Sequence, residues 1–150
     1  MKSAPVHFYV QRNSSFDTTG TPIPFDLEMV NEGNAMNLTT GIFTAPVTGI
    51  YFFSFTGLAE FPASSSTVQL GVYLNLNGNY IGSGWVEESN NVAAQRSPLT
   101  VQSTPNLEKD DQVWMEIIQM SSGSSLFDNF NAHTHFTGFM LQEDIVASLN

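Results

Sequence analysis

The stretch Ile50-Tyr51-Phe52-Phe53-Ser54-Phe55 places five apolar side chains in six consecutive positions. In an extended strand successive side chains face opposite ways. Tyr51, Phe53 and Phe55 therefore share one face, and Ile50 and Phe52 share the other. A strand in a two-layer antiparallel sandwich ordinarily needs only one apolar face. The segment Val68, Leu70, Val72, Leu74 and Leu76 keeps that rule, with Gln69, Gly71, Tyr73, Asn75 and Asn77 filling the opposite side. The 50–55 segment breaks it.

Outward from this segment, strict alternation recurs along the whole chain and no stretch has a helical period. Val6, Phe8 and Val10 define a first strand, and Phe25, Leu27 and Met29 define another. Later strands are read at Leu99–Val101, Val113–Ile118 and Phe136–Leu141. Asn77-Gly78 closes the 68–76 strand with the strongest short hairpin signal, because both turn positions require positive φ. Further turns fall at Thr19–Pro22, Ala45-Pro46, Pro62–Ser66, Ser97-Pro98 and Ser121–Ser125. Many short strands at this spacing predict an all-β antiparallel sandwich. Residues 1–150 are read as one domain with a core of about 6–144 and short tails.

Three further strands share the two-sided pattern. Val113, Met115 and Ile117 oppose Trp114 and Ile118; Phe136 and Met140 oppose Phe139 and Leu141; Tyr9 backs Val6, Phe8 and Val10. So much aromatic surface left in water would form a patch of several hundred Å², which soluble monomers rarely carry. A second copy of the chain is the expected cover.

Composition excludes several function classes. Fourteen acidic residues against Lys2, Arg12, Arg96 and Lys109 give a net charge of −10. Nucleic-acid binding needs a basic stripe and is not expected; cationic ligands or metal ions suit the field better. Without cysteine there is no disulfide, thiolate nucleophile or thiolate-held zinc. No apolar run reaches the roughly 18 residues of a membrane span. Met1–Pro5 holds no apolar signal stretch.

Longer spacings carry a family pattern. Asn31-Glu-Gly-Asn-Ala-Met36, Thr40-Gly-Ile-Phe-Thr-Ala-Pro46 and Gly49-Ile-Tyr-Phe-Phe-Ser-Phe55 follow one another, with Leu76-Asn-Gly78, Lys109-Asp-Asp-Gln-Val-Trp114 and His135-Phe-Thr-Gly-Phe-Met-Leu141 downstream. This order resembles the globular domain of complement C1q over about residues 6–144. Met36 stands where the family has an aromatic, and Asp110 where it has a turn glycine. No Gly-X-Y collagen segment is present. The resemblance implies a jelly roll of the C1q/TNF-like type, assembled as a tight trimer. It also implies that the strands at Val6, Ile50, Val113 and Phe136 form the sheet facing the threefold axis. Tyr9, Tyr51, Phe53, Trp114, Phe139 and Leu141 are the expected trimer contacts.

Candidate chemistry is sparse. His133-Thr-His135 has the spacing of a strand-borne metal pair but lacks the later histidine and nearby carboxylate a cupin site needs; its imidazoles are read as ordinary strand residues. Glu87 and Glu88, followed by Asn90 and Asn91, form an acidic loop suited to a ligand. Adjacent strand carboxylates face opposite ways and cannot flank one glycosidic bond. Asp128 and Asn129, beside Phe127 and Phe130, form a second candidate ligand loop. Calcium is the cofactor considered, with Asp110, Asp111 and Asp128 as candidate ligands; Asp111 is also read as ordering its turn. Asn13-Ser-Ser15 and Asn37-Leu-Thr39 are glycosylation sequons in a secreted eukaryotic protein. No nucleophile–base pairing, phosphate loop or dinucleotide fingerprint occurs.

The expectation is a secreted, non-enzymatic homotrimer binding clustered glycans, microbial surfaces or a receptor through its loops, as in innate-immune pattern recognition. The alternatives are a structural trimerisation domain of a fibre or surface coat, and a TNF-like cytokine.

Overall fold

A computed structural model describes residues 4–89 and 91–149. Among the described residues twelve strands form two antiparallel sheets. The seven-stranded sheet contains β1 (His7–Gln11), β2 (Leu27–Glu32), β5 (Gly49–Phe61), β8 (Gln95–Ser103), β9 (Asn106–Leu107), β11 (Ser125–Leu126) and β12 (His135–Glu143). The five-stranded sheet runs β3 (Met36–Asn37), β4 (Ile42–Thr44), β10 (Gln112–Met120), β6 (Val68–Leu76), β7 (Asn79–Glu88). A short helix, α1 (Ile145–Ser148), follows β12.

β5 is the spine of the larger sheet. Along one edge it pairs with β12 and then β11; along the other it pairs with β9 and then β8. Its alternation is as expected, with Tyr51, Phe53, Phe55, Ala59 and Phe61 all buried. Phe53 lies within 5.4 Å of Phe43 and 6.2 Å of Phe8, ring centre to centre, so the aromatic cluster bridges the two sheets. Each buried phenylalanine contributes roughly 1.5–3 kcal/mol through apolar burial. The β6–β7 turn forms as the sequence requires, with φ of 51° at Asn77 and 97° at Gly78.

Four expectations need correction. Tyr51 and Phe53 are both 0% exposed within one chain; they point into the core and are not contacts between copies. The 113–118 strand belongs to the five-stranded sheet, and β8 takes its place beside β5. Trp114 therefore faces away from the surface that carries Tyr9 and Phe139. Leu27 and Met29 are exposed at 41% and 58% although Phe25 is buried, because β2 lies at the sheet margin and its pairing with β1 slips by a bulge at Tyr9/Val10.

Candidate functional site

Strand register sorts the loops between the two ends of the sandwich. β5 ends at Phe61 opposite Gln95, Glu60 pairs with Ser125, Val68 pairs with Glu88, and Ser64 bridges to Asn91. The 62–67, 89–94 and 121–134 loops therefore share one end. At the other end lie the Asn77-Gly78 hairpin, the turn before β10, and the junctions of Gly49 with Leu107 and Glu143.

Glu87, Glu88, Asn91, Asp128 and Asn129 all fall at or beside the loop end; Asn90 lies outside the described residues. Glu87 and Glu88 face opposite ways, as read from the sequence. Glu87 Oε1 accepts from the Trp85 indole at 2.8 Å, whereas Glu88 accepts from the Ser97 hydroxyl across to β8. Asn91 is buried and donates to the Pro62 carbonyl at 2.5 Å.

Asp128 is only 6% exposed, and both its oxygens are engaged. Oδ1 accepts from Asn129 N and Oδ2 from Thr134 N, each at 2.9 Å. The carboxylate closes its own loop from within. That closure displays Phe130, which is 81% exposed and held at a φ of 72°. A bulky side chain in the left-handed region is uncommon and marks a backbone fixed by its surroundings. Sequence reading placed Phe130 in the loop but had no signal for its display.

The acidic candidates for calcium do not converge. Asp111 accepts from Asn77 Nδ2 and from Glu108 N, both at 2.8 Å, and so orders the turn before β10. Asp110 adopts a φ of 74° in that turn, the conformation open to a glycine. Asp128 sits at the opposite end, beyond the nine residues of β10, a length of about 30 Å. Among the described residues no group of three histidine, cysteine or acidic side chains is arranged to hold a metal. The set Asp110, Asp111 and Asp128 is therefore not one site. His133 packs against Phe127 and His135 against Tyr9, so the two imidazoles have different surroundings.

The two arginines flank this end in different ways. Arg12 is buried and donates to the carbonyls of Ser14, Ser15 and Pro24; burial lowers its pKa from the usual value, against the opposing pull of Asp26 and Asp128. Arg96 lies 3.8 Å over the Phe127 ring and pairs with Glu60 at 2.9 Å. Its side chain is 44% exposed, leaving a cation within reach of an incoming carboxylate.

A different surface faces outward from β1, β12 and β5. His7, Tyr9, Thr137, Phe139 and Phe52 lie there half-buried, joined by Ile50 at 37% and Leu141 at 54% exposure. Phe139 meets Phe52 at 5.3 Å and the edge of His7 at 6.0 Å. On these three strands the outward positions 7–11, 135–139 and 50–58 hold no Asp, Glu, Lys or Arg.

Two antiparallel sheets with loops gathered at one end, and an uncharged aromatic face on one sheet, define an all-β jelly-roll domain. The chain belongs to the C1q-domain family, whose model matches residues 7–141. It is 28% identical over 138 residues to complement C1q tumor necrosis factor-related protein 2 of Mus musculus, covering 91% of this chain and 43% of that protein. Against complement C1q tumor necrosis factor-related protein 3 of Mus musculus the identity is 30% over 138 residues, covering 92% and 52% respectively. The chain thus spans about half the length of these relatives. The globular domain of zebrafish complement 1qA superposes with a TM-score of 0.67 at 20% identity, over 93% of this chain and 99% of that one. That likeness establishes the fold. Among the described residues no helix is long and apolar enough to cross a membrane.

Proposed function

We propose that this chain is a secreted, non-enzymatic recognition module that assembles as a homotrimer and binds clustered ligands through the loops at one end. The observation that carries the reading is the uncharged face of Tyr9, Phe52, Phe139, Ile50 and Leu141. Apolar side chains concentrated on one sheet face mark a surface meant to be covered. A second and third copy of the chain would cover it without disturbing the loop end. Three identical loop clusters then convert weak contacts into avidity when the ligand is repeated on a surface. Asn129, Phe130 and Arg96 are the exposed side chains that such a ligand would meet.

Light scattering at micromolar concentration tests the assembly and should return three times the 16.5 kDa chain mass. A persistent monomer would overturn it. A glycan array and a receptor screen, each run with and without calcium, test the recognition. Uniformly negative binding by a rigid trimer would instead favour the structural cap of a fibre or coat. Binding confined to one cell-surface receptor would favour the cytokine-like role.

A further inference from the structure

The outer face of the five-stranded sheet carries features that neither assembly nor the loop cluster uses. Cross-strand register arranges it in rows. Trp85 pairs with Gly71; Ser83, Tyr73 and Glu116 form the next row; Tyr80, Asn75 and Trp114 form the one after. Rows are separated by two residues along the strand, about 7 Å.

Trp85 lies flat across this surface. A Cβ built at Gly71 would come within 2.2 Å of its Cε3 and 2.3 Å of its Cζ3, so the indole rests on the backbone of β6. Its nitrogen is tied to Glu87 at 2.8 Å. One ring face is thereby committed to the sheet and the other is left to solvent, at 41% exposure. Tyr80 is 54% exposed and meets Tyr73 edge-on, with ring centres 4.4 Å apart.

Beside these rings sits a carboxylate with an incomplete set of partners. Glu116 is 7% exposed. Its Oε1 accepts from Asn75 Nδ2 at 2.7 Å and from Trp114 Nε1 at 3.2 Å. Among the described residues no protein donor reaches Oε2, and no cation pairs with Glu116 or Glu87; the ion pair present is Arg96–Glu60, elsewhere. Both protein donors go to one oxygen, and Oε2 is not among the buried unpartnered atoms of the described residues, so it keeps access to solvent and to an incoming donor.

We infer that the face formed by Trp85, Tyr73, Tyr80, Trp114, Glu87 and Glu116 binds an amino-sugar oligosaccharide, its pyranose rings stacked on the aromatic platform and an ammonium group drawn to Glu116. Charge complementarity selects the class. Aromatic π-faces and carboxylates both attract ammonium groups, and a net charge of −10 opposes sulfated or phosphorylated glycans. Geometry selects a sugar over a lysine-bearing peptide. A lone ammonium is best held by a cage of rings, whereas Trp85 lies flat and offers a plane on which a ring can lie. The site belongs to one chain, so it is independent of both the trimer and the loop cluster.

Calorimetric titration at pH 6 and physiological salt tests this, with four hexamers as probes: fully deacetylated β-linked glucosamine, its N-acetylated form, β-linked glucose, and lysine. The glucosamine hexamer should bind best and perturb tryptophan emission. Trp85→Ala and Glu116→Gln should each weaken it at least tenfold while thermal melting stays cooperative. Val146→Ser, on the exposed surface of α1 away from this face, should leave it unchanged. Equal affinity for the neutral hexamers would remove the role of Glu116 and overturn the inference. Equal affinity for hexalysine would reduce it to bulk charge attraction and overturn it too. Unchanged glucosamine binding by folded Glu116→Gln would do the same.

Discussion

The indole of Trp85 occupies the space that any side chain at Gly71 would need, with a built Cβ only 2.2 Å from the ring. The residues pair across β6 and β7, so the glycine on one strand fixes the posture of the tryptophan on the next. Gly71 carries no positive φ, and alanine there meets no backbone strain. Since Trp85 is on the surface, the ring can swing aside. Gly71→Ala should therefore change stability by less than about 1 kcal/mol while shifting the Trp85 emission to the red. A Trp114→Phe background isolates that signal. An unmoved spectrum would mean the indole is not seated on the strand.

Gly138 presents the opposite case. A Cβ there would lie 2.4 Å from Phe8 and 2.7 Å from Phe53, rings that are 1% and 0% exposed. These cannot swing into solvent. Gly138→Ala should cost about 1–3 kcal/mol or more through overpacking, measured by chemical denaturation.

Phe53 and Phe139 separate folding from assembly. Phe53→Ala empties the centre of the aromatic cluster and should cost about 3–5 kcal/mol. Phe139→Glu, on the outward face, should leave a cooperatively melting chain whose mass falls to that of a monomer. If the parent has the proposed trimer mass, a Phe139→Glu chain that keeps it would place the contact between copies elsewhere.

Asp128 is the internal clasp of the 127–134 loop. Asp128→Ala leaves the Asn129 and Thr134 amides without their acceptor and should cost about 1–3 kcal/mol. Hydrogen exchange at Thr134 N should accelerate, and Phe130 should lose its fixed display. Unaltered exchange would show the loop to be held by other contacts.

Burial lowers the pKa of His135, with Asp128 pulling weakly the other way. The folded chain therefore resists a proton that the unfolded chain accepts near the ordinary histidine value of about 6.5. Stability should fall as pH drops through that value, and the loss ends once the folded imidazole also titrates. His135→Gln should remove this component. The melting midpoint should drop less between pH 7.5 and 5.5 in the variant than in the parent at equal concentration.

The sandwich, its strands and the Asn77-Gly78 turn were legible in the sequence because alternation and positive-φ demands are local properties. Strand partnership was not. β8 and β10 both present one apolar row inward, so nothing in either stretch says which sheet it joins; that choice is made by contacts far along the chain. Apolar residues on a second face were also ambiguous. Phe139 turns an apolar ring outward beside Phe52, whereas Trp114 faces outward from the other sheet and anchors its nitrogen on Glu116. In β5 the more aromatic face proved to be the inner one, which is why Tyr51 and Phe53 were misplaced. Among the candidate loops, the Glu87/Glu88 divergence followed from strand geometry. The inward turn of Asp128 and the display of Phe130 depend on bonds to Thr134 and Ser15 that span the loop and the chain.

β1 starts beside the finishing half of β12, with His7 opposite Phe139, and α1 follows directly from β12. Both ways out of the sandwich therefore leave from the pole opposite Phe130 and Arg96. An attachment made through either terminus would hold the molecule like a flower by its stem. Immobilised on a sensor by a terminal tag, every copy would turn the loop end of Phe130 and Arg96 toward the solution.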